Sequence, residues 1–376
     1  ALSVAQARGL RDLDAYGRLI RDLETRGRLD RAVEFLPSDT QLKALANEGK
    51  GLTRPELCVL LAYAKLDLDA VVLASDLPDD PFFTSLLVGY FPPAAVLAFP
   101  EEPSRHRLKR EIISTVLINV IVNLAGPAFV LRTCEVSGLG GAEVARAFVL
   151  SDGAFGLSAL KSRVDGLDLK VEAELQTRLY GDIADQFRRS TRWFLAHVPA
   201  KTSIAETVAR YRAGVEALRE NYSMTEEQTA RTANLEQAGV PEELARDMTL
   251  LGSLSAALDV ALLAHETQKE PARVAPLYFG LGAQLGLDRL RSLAAKFSPP
   301  EHWDRLAQLQ LFDDLSQSQR AIAKTLLIEG TGLQDWAKTQ ADGLQRTRDF
   351  LNALEGSGEI SVAKLMLASS QIQNLS

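Results

Sequence analysis

The chain has 376 residues, of which 46% are hydrophobic and 24% charged, ordinary globular values for a protein of two to three domains that needs neither disulfide nor metal to fold. Its 49 acidic and 42 basic residues leave a formal charge of -7. That balance is mildly acidic and well mixed, which argues against a nucleic-acid-binding face.

Leu10, Leu13, Tyr16, Ile20 and Leu23 recur at helical spacing and open the chain with one amphipathic helix. Arg8, Arg11, Asp12 and Asp14 interrupt any uncleaved signal peptide there. Ser38 with Gln41 has the spacing of a capping box, and Thr53-Arg54-Pro55-Glu56 has it more fully. The proline sits early in the first turn, where its missing donor had no partner. The stripe Leu57, Leu60, Leu61, Ala64 and Leu68 follows. Cys58 and Cys134 sit in apolar helical patterns as small hydrophobes, far apart in sequence.

Residues 78–103 are proline-rich and predict only short helices. The basic run Arg105, His106, Arg107, Lys109 and Arg110 reads as the solvated start of a helix. That helix carries Leu108, Ile112, Ile113, Val116, Leu117, Val120, Ile121 and Leu124. Its segment Ile118 to Val122 is β-branched, but the flanks extend the helical stripe. The apolar run is too short to span a bilayer. Asn119 and Asn123 lie one turn apart in it, and as buried amides they are expected to bond to a neighbouring backbone segment and fix how two helices meet. Gly138 to Gly141 is a turn before Ala142, and further on a long helix ends near Phe194. Arg192-Trp193, after Arg188, Arg189 and Ser190, reads either as a Trp on the apolar face with arginines across it or as an interface anchor. His197 to Ser203 is the expected subdomain boundary. Ser203 with Glu206 repeats the box spacing.

His265-Glu266-Thr267-Gln268-Lys269 begins like a zinc-binding H-E-x-x-H but lacks the second histidine. Gly280-Leu281-Gly282-Ala283-Gln284-Leu285-Gly286 suggests a dinucleotide loop, but the preceding stretch reads as helix rather than strand. Close helix packing and a helix end at Gly286 are expected instead. Asp313-Asp314 reads as a solvated face or an ion pair with Arg320. Thr331 with Gln334 marks a further helix start. Leu333 to Leu354 and Val362 to Leu375 read as two helices around a Gly356-Ser357-Gly358 turn.

With no alternating strand pattern and no fixed repeat, the fold class is all-α, a multi-helix orthogonal or bundle-like array. The expected division is 1–198, 199–330 and a C-terminal hairpin 331–376. No Ser/His/Asp or Cys/His constellation and no Walker loop is readable, so no catalytic, cofactor-binding or metal-ligating residue is assigned.

The blocks Gly49-Lys50-Gly51-Leu52-Thr53-Arg54-Pro55-Glu56-Leu57, Ala74 to Pro81, Tyr90-Phe91-Pro92, Asn123 to Pro127 and Phe129-Val130-Leu131-Arg132 resemble the C-terminal region of the large bacterial NAD-specific glutamate dehydrogenases. Thr191-Arg192-Trp193 and Leu285-Gly286-Leu287-Asp288 look like further family positions, and the resemblance thins after about residue 335. It implies a parent enzyme that oxidises L-glutamate with NAD to 2-oxoglutarate and ammonia. Catalytic and NAD-binding residues would lie upstream, leaving this segment without a cofactor. Implied partners are the upstream catalytic domain of the same polypeptide and further copies in a cytoplasmic homo-oligomer, with no nucleic acid and no membrane. Arg54, Glu56, Asn119, Asn123, Arg132, Arg192 and Trp193 are the candidate interface or structural residues. A stand-alone helical interaction scaffold is the alternative.

Overall fold

A computed structural model describes residues 2–296, 302–356 and 360–375. Among them are twenty-two α-helices, three short 3-10 helices and no strand, as the periodicity predicts. The chain forms two compact units. One comprises Ala1–Arg212 with Ser223–Ser255, the other Ala213–Tyr222 with Ala256–Ser376. The helix Ile204–Asn221 contributes residues to both.

In the first unit the helices Arg54–Ala74, Lys109–Ala125, Gly141–Phe155 and Ala173–His197 pack on one another. Arg54–Ala74 shows why these segments are helical. Thr53 and Glu56 close the capping box, and Leu57, Leu60, Leu61, Ala64, Leu68 and Val72 are buried at steps of three and four. Ser75 ends the helix in extended backbone, its hydroxyl donating to the Val72 carbonyl at 2.7 Å. Deeper in, Phe148 stacks on Phe187 with centroids 4.2 Å apart, and Phe129 meets Phe148 edge-on. The boxes at Ser38 and Thr53 both form, and so does one at Thr225 with Gln228 that the sequence reading passed over.

Between Leu77 and Arg105 the prolines do break the chain into short 3-10 and α-helical turns. Cys58 is exposed and only Cys134 is half-buried, so the small-hydrophobe reading fails for Cys58, which falls outside the buried stripe of its helix. Burial pushes the Cys134 thiol up to about 11.

In the second unit the helix His302–Glu329 packs against Ala256–Thr267, Pro271–Leu285 and Val362–Gln373. Thr331 is not a cap. The next helix starts at Leu333 behind Gly332. The single helix expected over 333–354 is two, Leu333–Thr339 and Ala341–Gly356. The break lets Leu344, Thr347, Leu351 and Leu354 turn inward, while Leu333–Thr339 buries nothing fully. Ala341–Gly356 and Val362–Gln373 pack on each other. The expected turn at Ser357-Gly358 lies outside the described residues.

Candidate interaction surface

A charge cluster in the first unit joins four helices. Asp12, with a side chain 7% exposed, accepts from Arg8 Nε at 3.0 Å and from Arg132 Nη1 at 2.9 Å. Asp185 accepts from Arg8 Nη1 and Arg188 Nη1, both at 2.8 Å. Arg188 Nη2 then donates to the carbonyl of Ala125 at 2.6 Å, where the helix Lys109–Ala125 ends at Gly126 with φ 93. Burial alone would raise the carboxyls of Asp12 and Asp185. The guanidiniums of Arg8, Arg132 and Arg188 around Asp12, and of Arg8 and Arg188 beside Asp185, outweigh it and hold both below the usual carboxylate range. Burial and the neighbouring Arg8 lower Arg188, which stays charged as arginines do. Arg132 was a candidate in the sequence; Arg8, Asp12, Asp185 and Arg188 were not. Arg8 and Asp185 are 177 residues apart, and no local spacing announces such a pair.

The other candidates are dispersed over the first unit. Arg54 is exposed and donates to Gln6 Oε1 at 3.2 Å. Glu56 is spent on its cap, accepting the Thr53 N–H at 2.6 Å and its hydroxyl at 2.7 Å. Trp193 is half-buried, stacked on His197 at 4.5 Å and edge-on to Phe194 and Tyr211. Arg192 is half-buried beside it in sequence. The buried-amide reading of Asn119 and Asn123 needs correcting. Asn123 is exposed, and Asn119 is half-buried and donates to the Thr115 carbonyl of its own helix at 2.8 Å. The inward face is taken by Ile113, Leu117, Ile118, Ile121 and Val122, so the amides satisfy themselves locally or in water.

In the second unit Arg320 pairs with Asp259 at 2.6 Å, while Asp314 accepts from Gln310 Nε2 at 2.7 Å. The glycine run is helix. Gly280 and Gly282 lie inside Pro271–Leu285, where an added Cβ would come within 2.7 Å of Leu333 and 2.8 Å of Gln319. Gly286 closes that helix at φ 67. Backbone N–H groups committed to a helix interior offer no phosphate cradle, so these residues do not fit a dinucleotide.

A surface feature escaped the sequence reading. The helix Pro93–Ala98 has no buried residue. Leu97 is 87% exposed, Phe99 63% and Leu108 55%. Beside it runs a groove of about 790 Å³ lined by Phe91, Val96, Phe99, Pro103, His106 and Leu108. Phe91 packs on the His106 ring at 5.4 Å, and His106 Nδ1 accepts the Leu108 N–H at 3.2 Å, which places the proton of the neutral ring on Nε2. Arg105 and Arg107 border the groove and make no ion pair among the described residues. Arg110, from the same basic run, turns away to Asp79 and to the carbonyls of Leu73 and Ser75. Proline breaks erase periodicity, so an apolar face built across several short turns leaves no repeating pattern to read. Contiguous exposed apolar surface of this kind marks an interaction site.

Comparison with known proteins places this architecture. Residues 49–374 match the family described as glutamate dehydrogenase, C-terminal. The chain belongs to that family. The match runs through the tail, past the thinning of the resemblance expected after about residue 335. The chain is 34% identical to an NAD-specific glutamate dehydrogenase of Halomonas elongata, covering 95% of this chain and 23% of that protein. It is 34% identical to one of Pseudomonas aeruginosa, over 100% of this chain and 24% of that protein. With one of Mycobacterium tuberculosis the identity is 31%, over 92% and 22%. This member of the glutamate dehydrogenase C-terminal family therefore spans about a quarter of the length of the curated relatives it matches. No single helix among its described residues is long and apolar enough to cross a membrane.

Proposed function

We propose that this chain is the helical C-terminal segment of an NAD-specific glutamate dehydrogenase, and that it packs against and supports, or regulates, the catalytic region of the same polypeptide without contributing catalytic residues. The reading rests on one observation: nearly the whole chain aligns with about a quarter of each relative. The parent would oxidise L-glutamate with NAD to 2-oxoglutarate and ammonia, as a cytoplasmic homo-oligomer in amino-acid catabolism, with no nucleic-acid or membrane partner. NAD would be held upstream.

The groove along Pro93–Leu108 is the surface we assign to that intramolecular contact. Its exposed Leu97 and Phe99, with Arg105 and Arg107 on the border, suit an apolar segment carrying acidic residues at its edge. The test of the first claim is direct. The isolated chain, mixed with L-glutamate and NAD, produces no NADH and binds no NAD in a calorimeter; turnover or tight NAD binding would refute it. The surface is tested in the whole polypeptide. Leu97→Asp with Phe99→Asp should expose the segment to protease and reduce turnover. Unchanged protection would remove the groove assignment and leave the family reading standing.

A further inference from the structure

A second cavity, of about 330 Å³, lies in the first unit between the helix Gly141–Phe155 and the end of Ala173–His197. Its walls are mostly apolar, with Leu139, Ala147, Leu150, Phe194 and Val198 among them. Three polar side chains reach it: Glu143, Arg146 and His197. His197 is anchored, its Nδ1–H donating to the Trp193 carbonyl at 2.8 Å while the ring stacks on the indole.

Arg146 is the unusual member. It is half-buried, and among the described residues its hydrogen bonds run from Nη2 to the carbonyl and the hydroxyl of Thr202. Among the described residues no carboxylate lies within ion-pair distance of it. Glu143 stands three residues earlier on the same helix, the spacing at which such pairs usually meet, yet the two make no ion pair. Burial lowers the guanidinium below its ordinary value, and the more distant Asp80 and Asp76 offset this only in part. By contrast, the half-buried guanidiniums of Arg8, Arg132 and Arg188 in this unit are answered by the carboxylates of Asp12 and Asp185. A desolvated cation facing an apolar cavity is stabilised by a ligand anion that supplies the missing charge.

We propose that this cavity binds a small organic monocarboxylate, with its carboxylate on the Nε and Nη1 face of Arg146 and its apolar body against Leu139, Leu150 and Phe194. Cavities of this size hold compact metabolites, with few polar groups fixing orientation. Glu143 on the same lining repels a second negative charge, so dicarboxylates are selected against. The site is therefore distinct in chemistry from one for glutamate or 2-oxoglutarate. The proposal does not depend on the reading of the chain as a dehydrogenase segment.

The probe is isocaproate, titrated calorimetrically into the chain, with isocaproamide as the uncharged isostere and glutarate as the dicarboxylate. Isocaproate should bind saturably, and the amide and glutarate about tenfold or more weaker, the worth of one charge-assisted hydrogen bond. Arg146→Met should abolish the preference for acid over amide, and Glu143→Gln should recover glutarate binding. Because Arg146 also holds Thr202, Ala196→Trp provides a second arm. Ala196 is exposed on the cavity wall, so the indole fills the space without disturbing the core. Loss of isocaproate binding in folded Ala196→Trp supports the site. Absence of saturable binding, equal binding of acid and amide, or binding that survives Ala196→Trp overturns the proposal.

Discussion

Asp259 carries more of the second unit's specificity than its single charge suggests. One carboxylate oxygen accepts from Tyr278 Oη at 2.6 Å, the other from Arg320 Nη1 at 2.6 Å, and Gln319 Nε2 donates to the Tyr278 carbonyl at 2.7 Å. Burial, with the Asp259 charge beside it, raises the Tyr278 phenol well above its ordinary value, so it stays a donor at any physiological pH. Asp259→Asn leaves a nearly buried guanidinium facing a neutral amide, and should cost about 3 kcal/mol. Tyr278→Phe removes one hydrogen bond to a charged group, for about 1.5 to 3 kcal/mol. Urea unfolding midpoints compare the two; equal and negligible shifts would show that the network contributes nothing. Sequence reasoning looked at Asp313-Asp314 here, because adjacency is visible and a separation of 61 residues is not. Gly51 makes the same point from the backbone side. An added Cβ would sit 2.7 Å from the backbone of Gly9, which cannot move aside as a side-chain tip can. Gly51→Ala should therefore destabilise by about 1 to 3 kcal/mol, read from the same midpoints. The stretch Gly49-Lys50-Gly51 stood out as a family position in the sequence, but its reason, a close approach to Gly9, required the fold.

Between elements, the Arg8–Asp12–Arg132–Asp185–Arg188 frame decides how the helix Gly9–Thr25, the end of Lys109–Ala125, the helix Phe129–Ser137 and the long helix Ala173–His197 are held together. Both carboxyls titrate lower in the folded chain than in the unfolded one. The unfolded chain therefore takes up protons first as acid is added, and the stabilisation is fully present above the unfolded carboxylate value of about 3.9. It is lost as pH falls from there through the lower folded values. Urea midpoints measured from neutral pH downward should drop over that window. Asp12→Asn should flatten part of the drop and lower stability at neutral pH by about 3 kcal/mol, since Arg8 and Arg132 lose their shared partner. An unaltered pH profile in Asp12→Asn would show that the frame's charges are not coupled to folding. The helices it joins were legible from apolar periodicity. Their mutual placement was not, because the residues that fix it are polar, isolated and far apart in sequence.

At the scale of the molecule, what the sequence showed well was class: helices without strands, the capping boxes at Ser38 and Thr53, and glycines used for packing at Gly280 and Gly282. What it showed poorly was surface. Asn119 and Asn123 read as buried, yet Asn123 is exposed and Asn119 only half-buried, while the apolar groove along Pro93–Leu108 read as proline-broken short helices followed by a basic, solvated helix start. The reason is the same in both cases. Periodicity reports which face of a long helix is apolar on average, and it weakens wherever one residue departs from the stripe or prolines shorten the helix to a turn. The groove has a consequence for the isolated chain, in which nothing from an upstream region covers Leu97, Phe99 and Leu108. Exposed apolar surface of this extent binds hydrophobic dyes and drives association at high protein concentration. The chain should therefore enhance the fluorescence of anilinonaphthalene sulfonate, whose sulfonate also suits Arg105 and Arg107, and should self-associate in sedimentation runs as concentration rises. Leu97→Asp with Phe99→Asp should suppress both effects without changing the far-ultraviolet dichroism, because neither side chain is buried. Dye binding and association that persist undiminished in a fully helical double variant would locate the sticky surface elsewhere, and with it the contact proposed for the rest of the enzyme.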